Sequence, residues 1–238
     1  MDHFSVAGMW ANMGLVARAV IVVLLLMSAL SFYISLDRIT TYLRVRKHSL
    51  AYVRDLGQLL GTQNLQGAVD RSSAKPQSPI ARIAAAALLE FGRGRDLLRA
   101  RQDNSDRSSF DVLELVQLAL IRVKEREVAD LRRGLSSLAS FASAAPFIGL
   151  FGTVVGIIDA FRVMAATGEG GIGAISSGIA EALMTTAVGL FVAIPAVLAH
   201  NYLNGRVEDL VVDMNDASSE IVAFVVTEGN QTTGAAHS

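Results

Sequence analysis

Three stretches of this sequence, 15–36, 138–164 and 178–203, run for 22 residues or more with at most two ionised side chains each. A helix needs roughly 20 consecutive apolar residues to cross a bilayer core. Hydrophobic residues make up 52% of the chain and gather into these runs, which is too apolar for an ordinary soluble domain. The predicted fold class is an all-α integral membrane protein: three transmembrane helices, with long helices extending into the cytoplasm.

The first run could instead be the core of a cleaved signal peptide. It is too long for that, and it ends in Asp37-Arg38 rather than in a small-residue cleavage site. It is therefore read as a retained helix. Arg38, Arg44, Arg46 and Lys47 follow it directly, and positive residues stay on the cytoplasmic side. The predicted order is an outside N-terminus 1–14, helix one at 15–36, a cytoplasmic helical region 37–137, helix two at 138–164, an outside turn 165–177, helix three at 178–203 and a cytoplasmic helix with a disordered tail at 204–238, the disorder falling on Gly229 to Ser238.

The net charge of −1 hides an asymmetry, since 18 of the 21 Lys and Arg but 12 of the 22 Asp and Glu fall between Asp37 and Leu138. Acids interleave with the bases there, so membrane topology explains the excess better than nucleic acid does. No cysteine is present, which excludes disulfides and thiolate metal sites, and His3, His48, His200 and His237 are too scattered to hold a metal. No cofactor is expected.

Within 37–137 the sequence predicts a polar connector at 61–79, a basic Ala-rich helix at 80–101 and a turn at 102–109. From Phe110 a long helix is expected to run into the second span, bending near Pro146, because proline removes a ladder donor and crowds the preceding turn. Val116, Leu120, Val123, Leu131, Leu135 and Leu138 recur at helical steps with a gap at Glu127. The run Lys124-Glu125-Arg126-Glu127 reads as a solvated face, or alternatively as a charged vestibule wall.

In the second span Ala142, Ala145, Gly149, Gly152, Gly156 and Ala160 step by three or four, and in the third Gly178, Ala182, Thr186, Gly189 and Ala193 do the same. Helices in lipid associate where small residues let backbones approach, so these stripes predict tight packing, within a subunit or between subunits. Thr153, Thr185 and Thr186 place hydroxyls at mid-span. Such a threonine often only bonds the carbonyl four residues back. Glu181 is either interfacial, near the positive end of its helix, or faces a wet cavity. Asp159 and Arg162 read as interfacial. No Asp or Glu stands at the middle of any span, so a proton path would need a carboxylate from a second chain. The two facing segments are taken to line a conduit through the bilayer.

APFIGLFGTVVGI (145–157), GIAEAL (178–183) and GLFVAIPA (189–196) closely resemble the ExbB/TolQ branch of the ExbB/TolQ/MotA stator family. The likeness covers about sixty residues of motif, and the three-span plan agrees along the rest. MotA-type stators have four spans, so the chain departs from that branch. The resemblance implies a homopentamer in the bacterial inner membrane around two copies of an ExbD/TolR-like single-span partner. The partner carries the protonatable aspartate, and proton flow does work in the periplasm. Relatives energise outer-membrane uptake, maintain the envelope or power gliding. It further implies that Thr153 and Thr186 line the pore, that Glu181 is the family's third-span glutamate, and that Pro146 and Pro195 are its prolines. Thr185 stands where some relatives have alanine.

Gly168, Gly170 and Gly173 formally match the dinucleotide fingerprint, but they join two spans rather than a strand and a helix. Without a Walker loop, HExxH or nucleophile elbow, an enzyme is not expected. A secondary transporter would need more spans and an inverted repeat. The remaining alternative is a passive membrane scaffold whose small-residue stripes serve packing alone.

Overall fold

A computed structural model of the chain describes residues 13–61, 65–75, 77–101, 112–167 and 172–234. It has six helices among those residues: α1 Leu15–Gly61, α2 Leu65–Ser73, α3 Pro79–Arg101, α4 Val112–Leu131, α5 Leu135–Thr167 and α6 Ile172–Gly234. The stretches Leu15–Ser49, Leu135–Ala166 and Ile175–Thr227 each hold a run long and apolar enough to cross a membrane. The chain divides into two compact units.

The first unit comprises Met1–Arg38 and Gly134–Asn204. Its centre is the antiparallel pair of α5 and α6, which approach closely because their facing positions are small. On one side α1 closes the pair with Val20, Leu24 and Met27, which bury against Ala145, Val192 and Ala193. The large apolar side chains of the pair point away: Phe147, Phe151, Leu190 and Phe191 are all exposed. Small residues inside and bulky ones outside is the arrangement lipid favours, since Leu gains nothing by hiding from acyl chains.

The second unit comprises Ile39–Arg133 and Gly205–Ser238. Here burial follows the pattern of a water-soluble bundle. Ile80, Ile83, Ala84, Ala87 and Leu88 of α3 form one buried stripe, and Val207, Leu210, Met214, Ala217, Ile221 and Val225 of α6 form another. Phe91 and Phe224 meet edge to face with centroids 6.1 Å apart. The Tyr42 hydroxyl donates to the carbonyl of Leu131 at 2.6 Å, so the last residue of α4 finds a partner for a carbonyl its own helix leaves unpaired.

Four sequence expectations are corrected. No helix runs unbroken from Phe110 past Pro146. The break falls at Arg132–Gly134, where Gly134 adopts φ +83°, a left-handed conformation that favours glycine. The Gly134 carbonyl then accepts the first bond of α5 from Leu138 N–H at 3.1 Å, and Pro146 lies inside that helix. The connector at 61–79 contains α2. The tail is helical through Gly234, and 235–238 lie outside the described residues. Glu127 is not on a solvated face. It is buried, and the Arg82 guanidinium grips it from α3, Nε to Oε1 at 2.6 Å and Nη2 to Oε2. Its position in the apolar repeat of α4 puts it there, and the cation makes its burial tolerable. The turn at 102–109, the N-terminal residues before Met13, and Gly168 and Gly170 also lie outside the described residues.

Candidate functional site

The site is the seam of α5 and α6. A Cβ added at Gly149 would come within 2.8 Å of the Thr185 carbonyl, and one at Gly189 within 2.7 Å of the Ala145 carbonyl. Gly156 meets Ala182 and Gly178 meets Ala160 in the same register. Each four-residue step along α5 is matched by a four-residue step back along α6, which is how two stripes of equal period pack when the helices run antiparallel. Both predicted stripes therefore face each other within one chain.

Three hydroxyls sit at the middle of this seam. Thr185 is fully buried, and Thr153 is 7% exposed. Thr186 is half-buried, and its Oγ1 makes a short hydrogen bond with that of Thr153. Two backbone carbonyls close the group. The Thr185 hydroxyl reaches Ala182 O at 2.7 Å and Gly149 O at 3.1 Å, and the Thr153 hydroxyl reaches the same two at 3.0 and 3.3 Å. Each threonine has one proton to give, so the two compete for shared acceptors, and a donor occupied with a carbonyl is not available to Thr186. Gly152 makes room for the cluster, since a Cβ there would lie 2.7 Å from Thr185 Oγ1. The group is a polar island among apolar side chains, with no ionisable member. It can pass a proton along hydroxyls or hold a water, but it cannot store a charge.

Glu181 lies one turn before Thr185 and opens into separate space. It is half-buried and borders a cleft of about 300 Å³ with Gly14, Ala17, Asp159, Ala160 and Gly178. Asp159, read from the sequence as merely interfacial, shares that cleft. Pro146 is half-buried and Pro195 exposed, and each lies within an unbroken helix. At the other end of the seam His200 Nδ1 lies 3.1 Å from the Leu135 carbonyl. The sequence carried little sign of that contact beyond helical spacing from Gly189 and Ala193. No group of three or more His, Cys, Asp or Glu stands ready for a metal among the described residues.

A sequence model of the MotA/TolQ/ExbB proton channel family matches residues 77–216. The chain is 35% identical over 205 residues to the biopolymer transport protein ExbB of Neisseria gonorrhoeae, covering 85% of this chain and 88% of that one. It is 32% identical over 211 residues to the Tol-Pal system protein TolQ of Pseudomonas aeruginosa, covering 89% and 88%. Against the biopolymer transport protein ExbB of Xanthomonas campestris pv. campestris the figures are 32% over 216 residues, 89% and 82%.

Proposed function

The chain belongs to the MotA/TolQ/ExbB proton channel family, and from that membership we propose that it is the channel subunit of an inner-membrane motor that turns proton flow into mechanical work. Five copies enclose a pore in the bacterial inner membrane, and two copies of an ExbD/TolR-like single-span protein occupy it. The N-terminus is periplasmic and the C-terminus cytoplasmic, in keeping with the arginines and lysine that follow Asp37.

The observation that carries this reading is the cluster of Thr153, Thr185 and Thr186 at mid-seam, in spans where no carboxylate stands at the same depth. Thr153 and Thr186 line the path, and the acid comes from the partner. A neutral carboxyl crosses an apolar sector of the ring at little cost, and an ionised one does not. One charge moved down 100 mV releases about 2.3 kcal/mol, so useful work needs several protons per stroke or low barriers. Glu181, beside Asp159 in the outer cleft, gathers protons at the entrance.

The test is Thr153→Val together with Thr186→Val in the complex with its single-span partner. Loss of partner-dependent proton flux, with assembly intact, is the expected result. Flux at the wild-type level refutes the hydroxyl path.

A passive scaffold is the second reading. Burial of Thr153 and Thr185 inside one chain, with both hydroxyls in reach of helix carbonyls, favours it. Under that reading the double valine variant loses thermal stability and the wild-type complex carries no flux.

A further inference from the structure

The seam that holds the three threonines ends, where α5 begins, on an imidazole. His200 stands fourteen residues beyond Thr186 on α6, about 21 Å along the axis and nearly four turns on, so it falls on the same face as Thr186, Gly189 and Ala193. Between them that face carries only small or apolar side chains. His200 is half-buried, and its Nδ1 lies 3.1 Å from the carbonyl of Leu135, the first residue of α5. A carbonyl only accepts, so Nδ1 carries the proton and Nε2 keeps its lone pair.

The position matters because little else near it exchanges protons. From Glu181 to His200, α6 carries no titratable side chain, and α5 carries none before Asp159. The other such groups of this unit at that end are Tyr202 of α6 and Tyr33, Asp37 and Arg38 of α1, of which Asp37 and Arg38 pair with each other at 2.9 Å. Histidine is the side chain whose chemistry suits uptake and release near neutral pH.

We propose, resting on the channel reading above, that His200 accepts and hands on protons at the cytoplasmic end of the seam. A proton released by the partner's carboxyl into water bonds to the Nε2 lone pair, giving an imidazolium. The Nδ1–H bond to Leu135 persists and gains from the added charge. The Nε2–H bond then breaks to cytoplasmic water, and the ring returns to its starting tautomer. Because Leu135 holds Nδ1 throughout, uptake and release use the same nitrogen and the ring does not flip. Leu135 is buried and directly follows the Gly134 turn, so the imidazole is fixed to the start of a helix rather than to a swinging loop.

Proteoliposomes containing the full chain and its single-span partner, followed with a pH-sensitive dye across the range in which imidazoles titrate, test this. His200→Asn keeps an N–H for Leu135 and removes the proton acceptor. The expected result is partner-dependent flux lowered about tenfold or more, with the pH dependence flattened and assembly unchanged. His200→Ala is expected to lose flux similarly and to regain part of it when imidazole is added, which a packing role would not produce. Wild-type flux and pH profile in His200→Asn overturn the assignment, and so does a loss in His200→Ala that imidazole leaves unchanged. Should His200→Asn fail to assemble, the imidazole titration of His200→Ala decides. A wild-type complex without flux overturns the channel reading and this assignment together, whereas wild-type flux with an unaffected variant overturns this assignment alone.

Discussion

Gly149 of α5 and Gly189 of α6 meet backbone to backbone. A Cβ on Gly149 would stand 3.1 Å from the Gly189 Cα, and one on Gly189 would stand 3.0 Å from the Gly149 Cα. The atoms in the way are main chain, which cannot rotate aside as a side chain can. The separation of the two helices, and with it the geometry of the threonines one turn away, is set at this point.

Replacing either glycine by alanine should therefore pry the seam apart. Overpacking of this kind costs about 1–3 kcal/mol. Gly189→Ala should lower the thermal midpoint in detergent, and Gly205→Ala, where a Cβ meets nothing within 4 Å, should not. Equal melting of the two variants would mean that the seam yields.

The ion pair of Arg82 and Glu127 offers a second test. The Glu127 side chain is 7% exposed and that of Arg82 is 41% exposed. Arg82→Ala leaves a carboxylate buried without its cation. Losing one partner of a fully buried pair costs about 3–5 kcal/mol, and the solvent that reaches Arg82 lowers this to roughly 2 kcal/mol. The double replacement Arg82→Met with Glu127→Leu should restore most of the loss, since well-packed apolar groups often match a buried pair. Chemical denaturation of the three proteins measures both effects. If the double variant is as weak as the single one, the pair contributes more than charge compensation.

How much of this was legible in the sequence depends on what produces each feature. The three apolar runs follow from bilayer thickness, a one-dimensional constraint, and they read off directly. The stripes through Gly149 and Gly189 were equally plain as periodicity, yet periodicity alone left open whether they met within a chain or between chains. The break at Gly134 was missed because Pro146 is the louder signal. Proline in a span keeps its helix when neighbours compensate, whereas a left-handed φ depends on how the chain turns in space. Glu127 showed as a gap in an apolar repeat and as the end of a charge run, and neither points to its partner Arg82, 45 residues away. The partnership of His200 with Leu135 was invisible for the same reason: a side-chain-to-carbonyl contact 65 residues apart leaves no local trace.

Asp213 gives a pH prediction. Burial raises its carboxyl above the ordinary range, and the nearby Asp216 and Asp209 raise it further, against the opposing pull of Arg46. A carboxyl raised by folding binds its proton more tightly in the native state, so its ionised form weighs against stability above the native pKa. That penalty lifts as pH falls from the native value toward the unfolded one. Asp213→Asn should accordingly raise the thermal midpoint at neutral pH, by about 1–2 °C given the solvent exposure of the site. The gain should vanish once the solution is acidic enough to protonate the wild-type carboxyl. Melting curves at neutral and acid pH measure it, and a gain that grows on acidification would reverse the sign of the assignment.

Thr185 is the hydroxyl whose removal should say most about the cluster. It and Thr153 reach the same two carbonyls, Gly149 O and Ala182 O, and the shortest of the four contacts is from Thr185 to Ala182 O at 2.7 Å. With Thr185 serving a carbonyl, Thr153 can direct its single proton toward Thr186. Thr185→Val keeps the shape and removes that donor, so the carbonyls draw the Thr153 proton instead and the link to Thr186 loses its direction. The difference is worth about one neutral hydrogen bond, near 1 kcal/mol, which predicts roughly a three- to tenfold fall in partner-dependent proton flux. Thr185→Ser restores the donor without the methyl and should recover flux even where the small cavity lowers the melting temperature. The two measurements separate the roles: flux that follows the hydroxyl marks Thr185 as setting the direction of the Thr153 bond. Flux that follows the melting temperature instead, low in Thr185→Ser and normal in Thr185→Val, would mean that the side chain only fills space.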